Sequence, residues 1–488
     1  MTENASDSAI WSMQALAAGD AEVIASGVSG LDLMRRAGNA VAAVIRARWT
    51  PRPVVVLCGP GNNGGDGFIV ASALARADWR VRTVELVPRA ALTGDAAAAA
   101  AEWAGPVAPW SVESLVGAEL VVDAVFGAGL KRPLDGRVRD VLLSVRAPLI
   151  AVDLPSGLNG DTGQTLGVAP RASVTVTFHR KKLAHVLEPG RNLCGDVIVE
   201  DIGLPTRSPW AGQWVENRAE NWLKRFPWPD VAAHKGERGR LVVVSGPAHS
   251  TGAARLSAMA GLRIGAGLVT VASPTAALRV NASHLTAIML QPFENEEELL
   301  PLVERVDAVV IGPAAGVTEE TRLNVLACGQ TGAAMVVDAD ALTIFRDDPD
   351  ELFSALDRDD VLTPHPGEFE RLFPGLLKRT PTRLAAALEA AAAADCVVVL
   401  KGADTVIASP DGRAAINTNG APWLATAGSG DVLAGFIGGL IAQGMDSFDA
   451  ACAGVWIHAE AGCAFGPGLI AEDLPGLAPM VLGRLWRG

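Results

Sequence analysis

The 488-residue chain lacks the marks of several large protein classes. Its six cysteines, Cys58, Cys194, Cys328, Cys396, Cys452 and Cys463, form no C-x-x-C pair and have no histidine cluster beside them. That argues against a structural zinc site and against a disulfide framework. The first residues, MTENASDSAIWSM, lack a basic segment followed by an apolar core, so no secretory signal is expected. The longest apolar helical stretch near the end, VLAGFIGGLIA, is too short to span a bilayer. Positive charge is also in deficit. The 41 Lys and Arg residues against 54 Asp and Glu give a net charge of -13, which disfavours nucleic acid and anionic membranes as partners. A soluble cytoplasmic protein acting on small molecules is expected. Any phosphate-bearing ligand would be held locally, by backbone N–H groups, helix N-termini, a few lysines or a bound cation.

What is present is apolar: 49% hydrophobic residues with 19% charged, a composition that suits buried parallel sheets covered by helices. Short β-branched runs alternate with alanine-rich helical segments, which predicts an α/β fold with parallel sheets. The expected strands are 53–57, 80–86, 119–123, 148–152, 173–178 and 197–199. Between 203 and 240 the pattern lapses into proline, tryptophan and charge, and a boundary near residues 210–220 is expected. A second series follows at 241–244, 268–272, 307–311, 335–338, 361–363, 396–400 and 404–408. The chain thus divides into domains 1–215 and 216–488. The halves share an architecture and no motif.

In the first half, CGPGNNGGDGFIVA at 58–71 contains G-x-G-x-x-G at Gly59, Gly61 and Gly64, with Glu85 about twenty residues on. That spacing suggests a nicotinamide-dependent dehydrogenase, but Asn62, Asn63, the Gly64–Gly65 pair and Asp66 depart from it. Two further strand ends are polar. Asp123 precedes a glycine loop at 127–129, and AVDLPSG places Asp153 and Ser156 in a proline turn. Singly, each has a plain explanation as a cap or a tight turn. Together, Asn63, Asp123 and Ser156 offer the oxygen ligands that a hard cation prefers. Glycine N–H groups at 64–65 and 127–129 can grip phosphates. Asp153, beside Phe126, Leu154 and Pro155, can serve as a proton-transfer base. The basic run His179–Lys182 reads as a solvated strand end.

In the second half, ATAGSGDVLAGFIGGLIAQG at 425–444 sets Gly428 and Gly430 before Asp431, where an apolar helix begins. Free N–H groups at such a start stabilise phosphoryl oxygens, and the aspartate can accept a proton from an attacking hydroxyl. VVVLKGADTVI at 397–407 reads as a strand-turn-strand with Lys401 as phosphate partner. LTPHPGEFERL sets His365 in a rigid turn between two prolines. IGPAAG at 311–316 and the stretch 250–269 add small-residue loops that let backbone approach a ligand. No P-loop or protein-kinase signature is present.

GPGNNGGDG, LMRRAG at 33–38, VDAVFGAGLKRP and DLPSG together resemble the NAD(P)H-hydrate epimerase domain over residues 10–205. The resemblance implies a Rossmann-like fold and interconversion of the two epimers of hydrated NADH or NADPH. It implies K+ at Asn63, Asp123 and Ser156. Substrate contacts would come from Asn62, Asn63, Gly64, Gly65 and Asp66, from the loop Gly127, Ala128, Gly129, Leu130, Lys131, Arg132 and Pro133, and from Asp153 as acid/base. Residues 217–488 resemble the ribokinase-like, ADP-dependent NAD(P)H-hydrate dehydratase. That resemblance implies hydrate contacts at Ala253, Gly316, His365 and Asp431. Nucleotide contacts would come from Lys401, Gly402, Ala403, Asp404, Thr405 and Gly430. Magnesium and a homo-oligomer are also expected. In the implied mechanism Asp431 deprotonates the ring hydroxyl, which attacks the terminal phosphate of ADP. The ring nitrogen then expels the phosphate ester, releasing AMP and phosphate. Two departures stand out: Gly312-Pro313-Ala314-Ala315-Gly316 where the family reads G-P-G-L-G, and GPAHSTG at 246–252, which lacks a glycine–serine pair. The competing readings are an NAD(P)-dependent oxidoreductase fused to a small-molecule kinase, and a first domain that only senses nucleotide. No candidate hydride-transfer pair of histidine and aspartate supports the former.

Overall fold

The computed structural model describes residues 8–205 and 212–487, which form two compact units dividing at Trp214 and Val215. Of the segment expected to hold the domain boundary, residues 206–211 lie outside the described residues.

The first unit is built on seven parallel strands: β1 Val54–Cys58, β2 Val81–Glu85, β3 Val107–Pro109, β4 Leu120–Ala124, β5 Leu149–Val152, β6 Val174–Phe178 and β7 Asp196–Glu200. Their order in the sheet is β3-β2-β1-β4-β5-β6-β7. Every residue of β1, β4 and β5 is buried, because helices cover both faces; this is why these strands read as unbroken apolar runs.

The second unit holds β8 Trp214–Glu216, β9 Arg240–Val244, β10 Leu268–Pro274, β11 Met289–Phe293, β12 Ala308–Ile311 and β13 Ala334–Val337. It continues with β14 Val361–Leu362, β15 Val397–Leu400, β16 Val406–Ala408 and β17 Ala414–Ile416. The sheet order is β11-β10-β9-β12-β13-β14-β15-β16-β17-β8, parallel from β11 to β15 and antiparallel across β15-β16-β17. The α/β fold with parallel sheets expected from the alternating pattern is therefore observed in both halves.

Both parallel sheets are wound in the same sense from their first central strand, so each has a switch point, between β1 and β4 and between β9 and β12. Connections leave for opposite faces there, and the crevice beyond the carboxyl ends is where ligands bind in such sheets. The strands without a sequence signal lie at or near sheet edges. Among them, β3 is three residues with an exposed start, and β11 carries Pro292 and is largely exposed.

The stretch VLAGFIGGLIA belongs to the helix Ser429–Ala442, buried on nearly every side. No described helix is long and apolar enough to cross a membrane. This helix lies against the helix Gly252–Ile264 at glycine range. A methyl group at Gly435 would sit 2.2 Å from the Ser257 carbonyl oxygen, and one at Gly439 would sit 2.8 Å from the Gly261 Cα.

Candidate active sites

In the first unit the loops after β1, β4 and β5 surround a cleft of about 690 Å³. Asn62, Asn63, Asp66, Gly127 to Arg132 and Asp153 line it, as do Met13, Asp20, Phe178 and Lys182. Gly64, Gly65 and Pro133 do not. Gly64 is buried where a methyl group would meet the Gly59 carbonyl oxygen at 2.0 Å, and Gly65 packs on Met34 and donates its N–H to Gly61. These glycines seat the helix Asn62–Arg76 on its loop, and the N–H of Gly65 is already engaged. Gly59 serves a similar end. A methyl group there would lie 1.8 Å from the Val125 carbonyl oxygen, so the motif's first glycine lets the loops of β1 and β4 touch.

Asp123 and Ser156 form a knot beneath the cleft. Both are fully buried. The Ser156 hydroxyl donates to Asp123 Oδ1 at 2.6 Å, the Ser156 N–H donates to Oδ2 at 2.8 Å, and the Phe126 N–H donates to Ser156 Oγ at 2.9 Å. Among the described residues no cationic side chain pairs with Asp123, and burial pushes its carboxyl up to about 6. The Asn63 amide nitrogen donates to the Val152 carbonyl and its oxygen accepts from the Gly127 N–H, each at 3.2 Å, so the side chain ties two loops of the cleft together.

Asp153 is held from every side. Its φ of +68°, rare for a residue with a side chain, is a strained conformation of the kind found at active sites. Its N–H donates to Val176, and its carbonyl faces His185 Nε2 at 2.9 Å. Oδ1 accepts from Lys182 Nζ at 2.5 Å and from Thr177 Oγ1 at 3.0 Å; Oδ2 accepts from the Ala128 N–H at 3.2 Å. Burial alone would raise the carboxyl, but the charge and hydrogen bond of Lys182 outweigh it and hold Asp153 below the ordinary range. Asp66, in the same cleft, is driven the other way, by burial and by the negative charge of Asp153. Two carboxyls with opposed proton affinities can divide acid and base roles.

The basic run 179–182 is not solvated as expected: His179 is 2% exposed, Arg180 9% and Lys182 4%. The chain turns inward after β6 because Lys182 pairs with Asp153 and the His185 ring accepts the Lys182 N–H. Lys182, Thr177 and His185 surround Asp153 and were not among the residues the sequence pointed to.

In the second unit the loops after β9 and β12 touch at their switch point. The Ser250 hydroxyl donates to the Ala314 carbonyl at 3.0 Å, and a methyl group at Gly246 would lie 1.9 Å from that oxygen. Ala314 has φ +52°, so a residue with a side chain is held in left-handed backbone. Gly316, with φ +91°, donates its N–H to Asp340 Oδ2 at 2.9 Å. Ala253 lies in the first turn of the helix Gly252–Ile264.

Beyond these loops, Gly428 at φ +83° starts the helix Ser429–Ala442, with Asp431 in its first turn. Lys401 reaches the same spot: its Nζ is 2.7 Å from Asp338 Oδ1 and 3.8 Å from Glu368 Oε2. A methyl group at Gly430 would lie 3.5 Å from Lys401 Nζ and 3.7 Å from Asp338 Oδ2, which puts both side chains against the helix start. Burial, then the charge of Asp338, push the Asp431 carboxyl up to about 7, because Lys401 is already engaged by Asp338. Asp338 and Asp340 flank Ala339, itself at φ +53°. They were missed, although VVDADALT carries the same strand-end aspartate signal as Asp123 and Asp153.

His365 caps its own helix. Its Nδ1 accepts the N–H of Gly367 at 2.9 Å and of Glu368 at 3.3 Å, and half of its side chain is exposed. The turn from Lys401 to Thr405 is closed by the Thr405 hydroxyl, which donates to the Gly402 carbonyl at 2.8 Å. Asp404 pairs with Arg383, whose guanidinium lies 2.6 Å from where a methyl group at Gly402 would sit.

Comparison with known proteins places these two sites in a wider context. A family model described as NAD(P)H-hydrate dehydratase matches residues 241–468, and one described as YjeF-related protein N-terminus matches residues 30–184. The bifunctional NAD(P)H-hydrate repair enzyme of Thermofilum pendens is 38% identical over 89% of this chain and 88% of its own length. The enzyme of the same name from Moorella thermoacetica is 37% identical over 94% and 93%. Among solved structures, the ADP/ATP-dependent NAD(P)H-hydrate dehydratase of Bacillus subtilis, co-crystallised with ATP and Mg2+, is 27% identical. It covers 55% of this chain and 98% of its own, with a TM-score of 0.49.

Proposed function

The chain belongs to the family of bifunctional NAD(P)H-hydrate repair enzymes, and from that premise we propose how its two clefts share the work. The protein repairs hydrated NADH and NADPH: the first unit interconverts the R and S hydrates, and the second dehydrates the S hydrate at the expense of ADP. The observation that supports the assignment of residues is the placing of two aspartates at a strand end and a helix start with opposed tuning, Asp153 held ionised beside Lys182 and Asp431 pushed up to about 7, poised to take a proton.

In the first cleft the hydrated carbon bears a hydroxyl and the ring nitrogen. The nitrogen lone pair expels the hydroxyl, and water returns to the other face; Asp153 Oδ2, beside the glycine loop, takes the proton of the incoming water. Asn62, Asn63, Asp66 and the loop 127–132 hold the nucleotide, with Gly64, Gly65 and Pro133 acting through loop shape. The buried, cation-free Asp123 carboxylate with the Ser156 hydroxyl fits K+, with Asn63 tying the adjoining loops. Potassium, when bound, supplies the positive charge that the knot lacks.

In the second cleft Asp431 accepts the proton of the ring hydroxyl as that oxygen attacks the terminal phosphorus of ADP. The P–O bond to AMP breaks, the ring nitrogen then expels the phosphate to leave a C=N+ iminium, and loss of a proton from the adjacent ring carbon to solvent restores the dihydronicotinamide. N–H groups at the helix start near Gly430 hold the transferring phosphoryl group, Lys401 with the turn to Thr405 holds the nucleotide, and Ala253, Gly316 and His365 border the hydrate. Mg2+, when bound with the nucleotide, would offset charge between the reacting anions.

Supplied with NADH hydrate and ADP, the protein regenerates reduced-nicotinamide absorbance and releases AMP and phosphate; absence of AMP rejects the kinase-like step. Asp431→Asn abolishes dehydration and spares epimer exchange, and Asp153→Asn does the reverse. Loss of the same activity in both variants rejects the two-site assignment.

A further inference from the structure

Resting on the epimerase reading of the first cleft, we propose that Lys182 is its catalytic acid, giving a proton to the departing hydroxyl while Asp153 takes one from the returning water. A buried ammonium requires an anionic partner, and Lys182, 4% exposed, has Asp153 Oδ1 at 2.5 Å and Thr177 Oγ1 at 2.7 Å. These two contacts use two of its three hydrogens. Among the described residues the third has no acceptor, and Lys182 lines the cleft.

Asp153 is the matching half. Oδ1 accepts two hydrogen bonds, whereas Oδ2 accepts only the Ala128 N–H and keeps a lone pair. A methyl group at Gly127 would lie 3.1 Å from Oδ2, so this oxygen abuts the glycine loop of the cleft. His185 locks the two together, accepting the Lys182 backbone N–H at Nδ1 and donating from Nε2 to the Asp153 carbonyl, both at 2.9 Å. Asp20 and Asp66 also line the cleft, but neither is hydrogen-bonded to Asp153 or Lys182. Lys131 and Arg132 lie on its exposed loop. Lys182 is the one buried cation joined directly to the base, among the described residues.

The step balances without an outside reactant. As the C–O bond breaks, the nitrogen lone pair becomes the second bond of C=N, Lys182 Nζ gives its proton, and the oxygen leaves as water. Water then adds to the opposite face, the C=N electron pair returns to nitrogen, and the extra proton passes to Asp153 Oδ2. Release of that proton from Asp153 Oδ2 to the water of the cleft and uptake of one from it by the neutral Lys182 amine restore the starting pair.

The test uses the full chain and one purified hydrate epimer, without ADP so that dehydration is silent, and follows appearance of the other epimer by chromatography. Conversion by the wild type above the uncatalysed rate supports the epimerase reading; no conversion overturns that reading itself. Lys182→Ala is expected to be at least about 100-fold slower, with the rate restored in proportion to added methylamine. Lys182→Arg keeps the charge but binds its proton too tightly to give it up, and is expected to be as slow as the alanine variant. Either variant within tenfold of the wild type overturns the proposal. So does a loss that methylamine leaves unmoved in a variant whose thermal midpoint matches the wild type.

Discussion

Raising the pH from 6 to 8 should raise dehydration about tenfold and epimer exchange far less, by about twofold at most through ionisation of Asp123, itself pushed up to about 6. Asp431, pushed up to about 7, is only about one-tenth ionised at pH 6 and about nine-tenths ionised at pH 8. Its base form is the competent one, so kcat/KM for the hydrate at saturating ADP should rise about tenfold across that interval, with unit slope on the acid side. Bound phosphate beside the carboxyl favours protonation further, so the midpoint should lie at 7 or above. Asp153 is held below the ordinary carboxylate range by Lys182, and over the same pH interval it stays ionised. The assay is the initial rate of reduced-nicotinamide absorbance, paired with ADP-free epimer exchange in the same buffers. A dehydration rate level between pH 6 and 8 would refute the assignment of Asp431 as base. An equal acid limb in both activities would show that the effect lies outside this residue.

The same shift predicts a stability effect. Because the folded pKa of Asp431 exceeds the ordinary value near 4, the native state holds its proton more tightly and loses stability as pH rises from about 4 to about 7. Asp431→Asn should therefore stabilise the second unit at pH 8, by the order of 1–3 kcal/mol, and have little effect at pH 4; calorimetry at the two pH values checks this. Gly246→Ala should lower the thermal midpoint of that unit and its dehydration rate together, since the methyl group cannot share space with the Ala314 carbonyl 1.9 Å away. Epimer exchange in the same variant should match the wild type. The first unit should melt higher in KCl than in choline chloride of equal ionic strength, and Asp123→Asn should remove the difference.

Where two faces of a strand are buried, the sequence was a reliable guide. β1, β4, β9 and β12 stand out as apolar runs because helices lie above and below them, and the strand ends they mark lead directly to Asn63, Asp123 and Gly316. β3, β11 and β17 escaped notice for the opposite reason: short or solvent-facing strands need no unbroken apolar pattern. Asp153 was legible as a polar residue in a proline turn. Lys182 was not, because a lysine in a basic run is ordinarily solvated, and its burial depends on a carboxylate 29 residues earlier in the chain. The motif glycines stood out, but the close backbone packing of Gly59 and Gly64 did not, since a sequence cannot distinguish a glycine that faces phosphate from one that lets two backbones touch.

The Ser257 hydroxyl, on the helix that begins beside Ala253, donates to the carbonyl of Asp431 itself at 2.8 Å, and Gly435 and Gly439 remove any spacing between the two helices. The proposed base and the proposed substrate wall are thus joined in one girder. A girder packed this closely resists sliding, so adjustment to ADP or hydrate is expected in the loops above it. Attempts to widen this enzyme's substrate range should accordingly be made in the segments 246–252 and 312–316, and not along the helix seam.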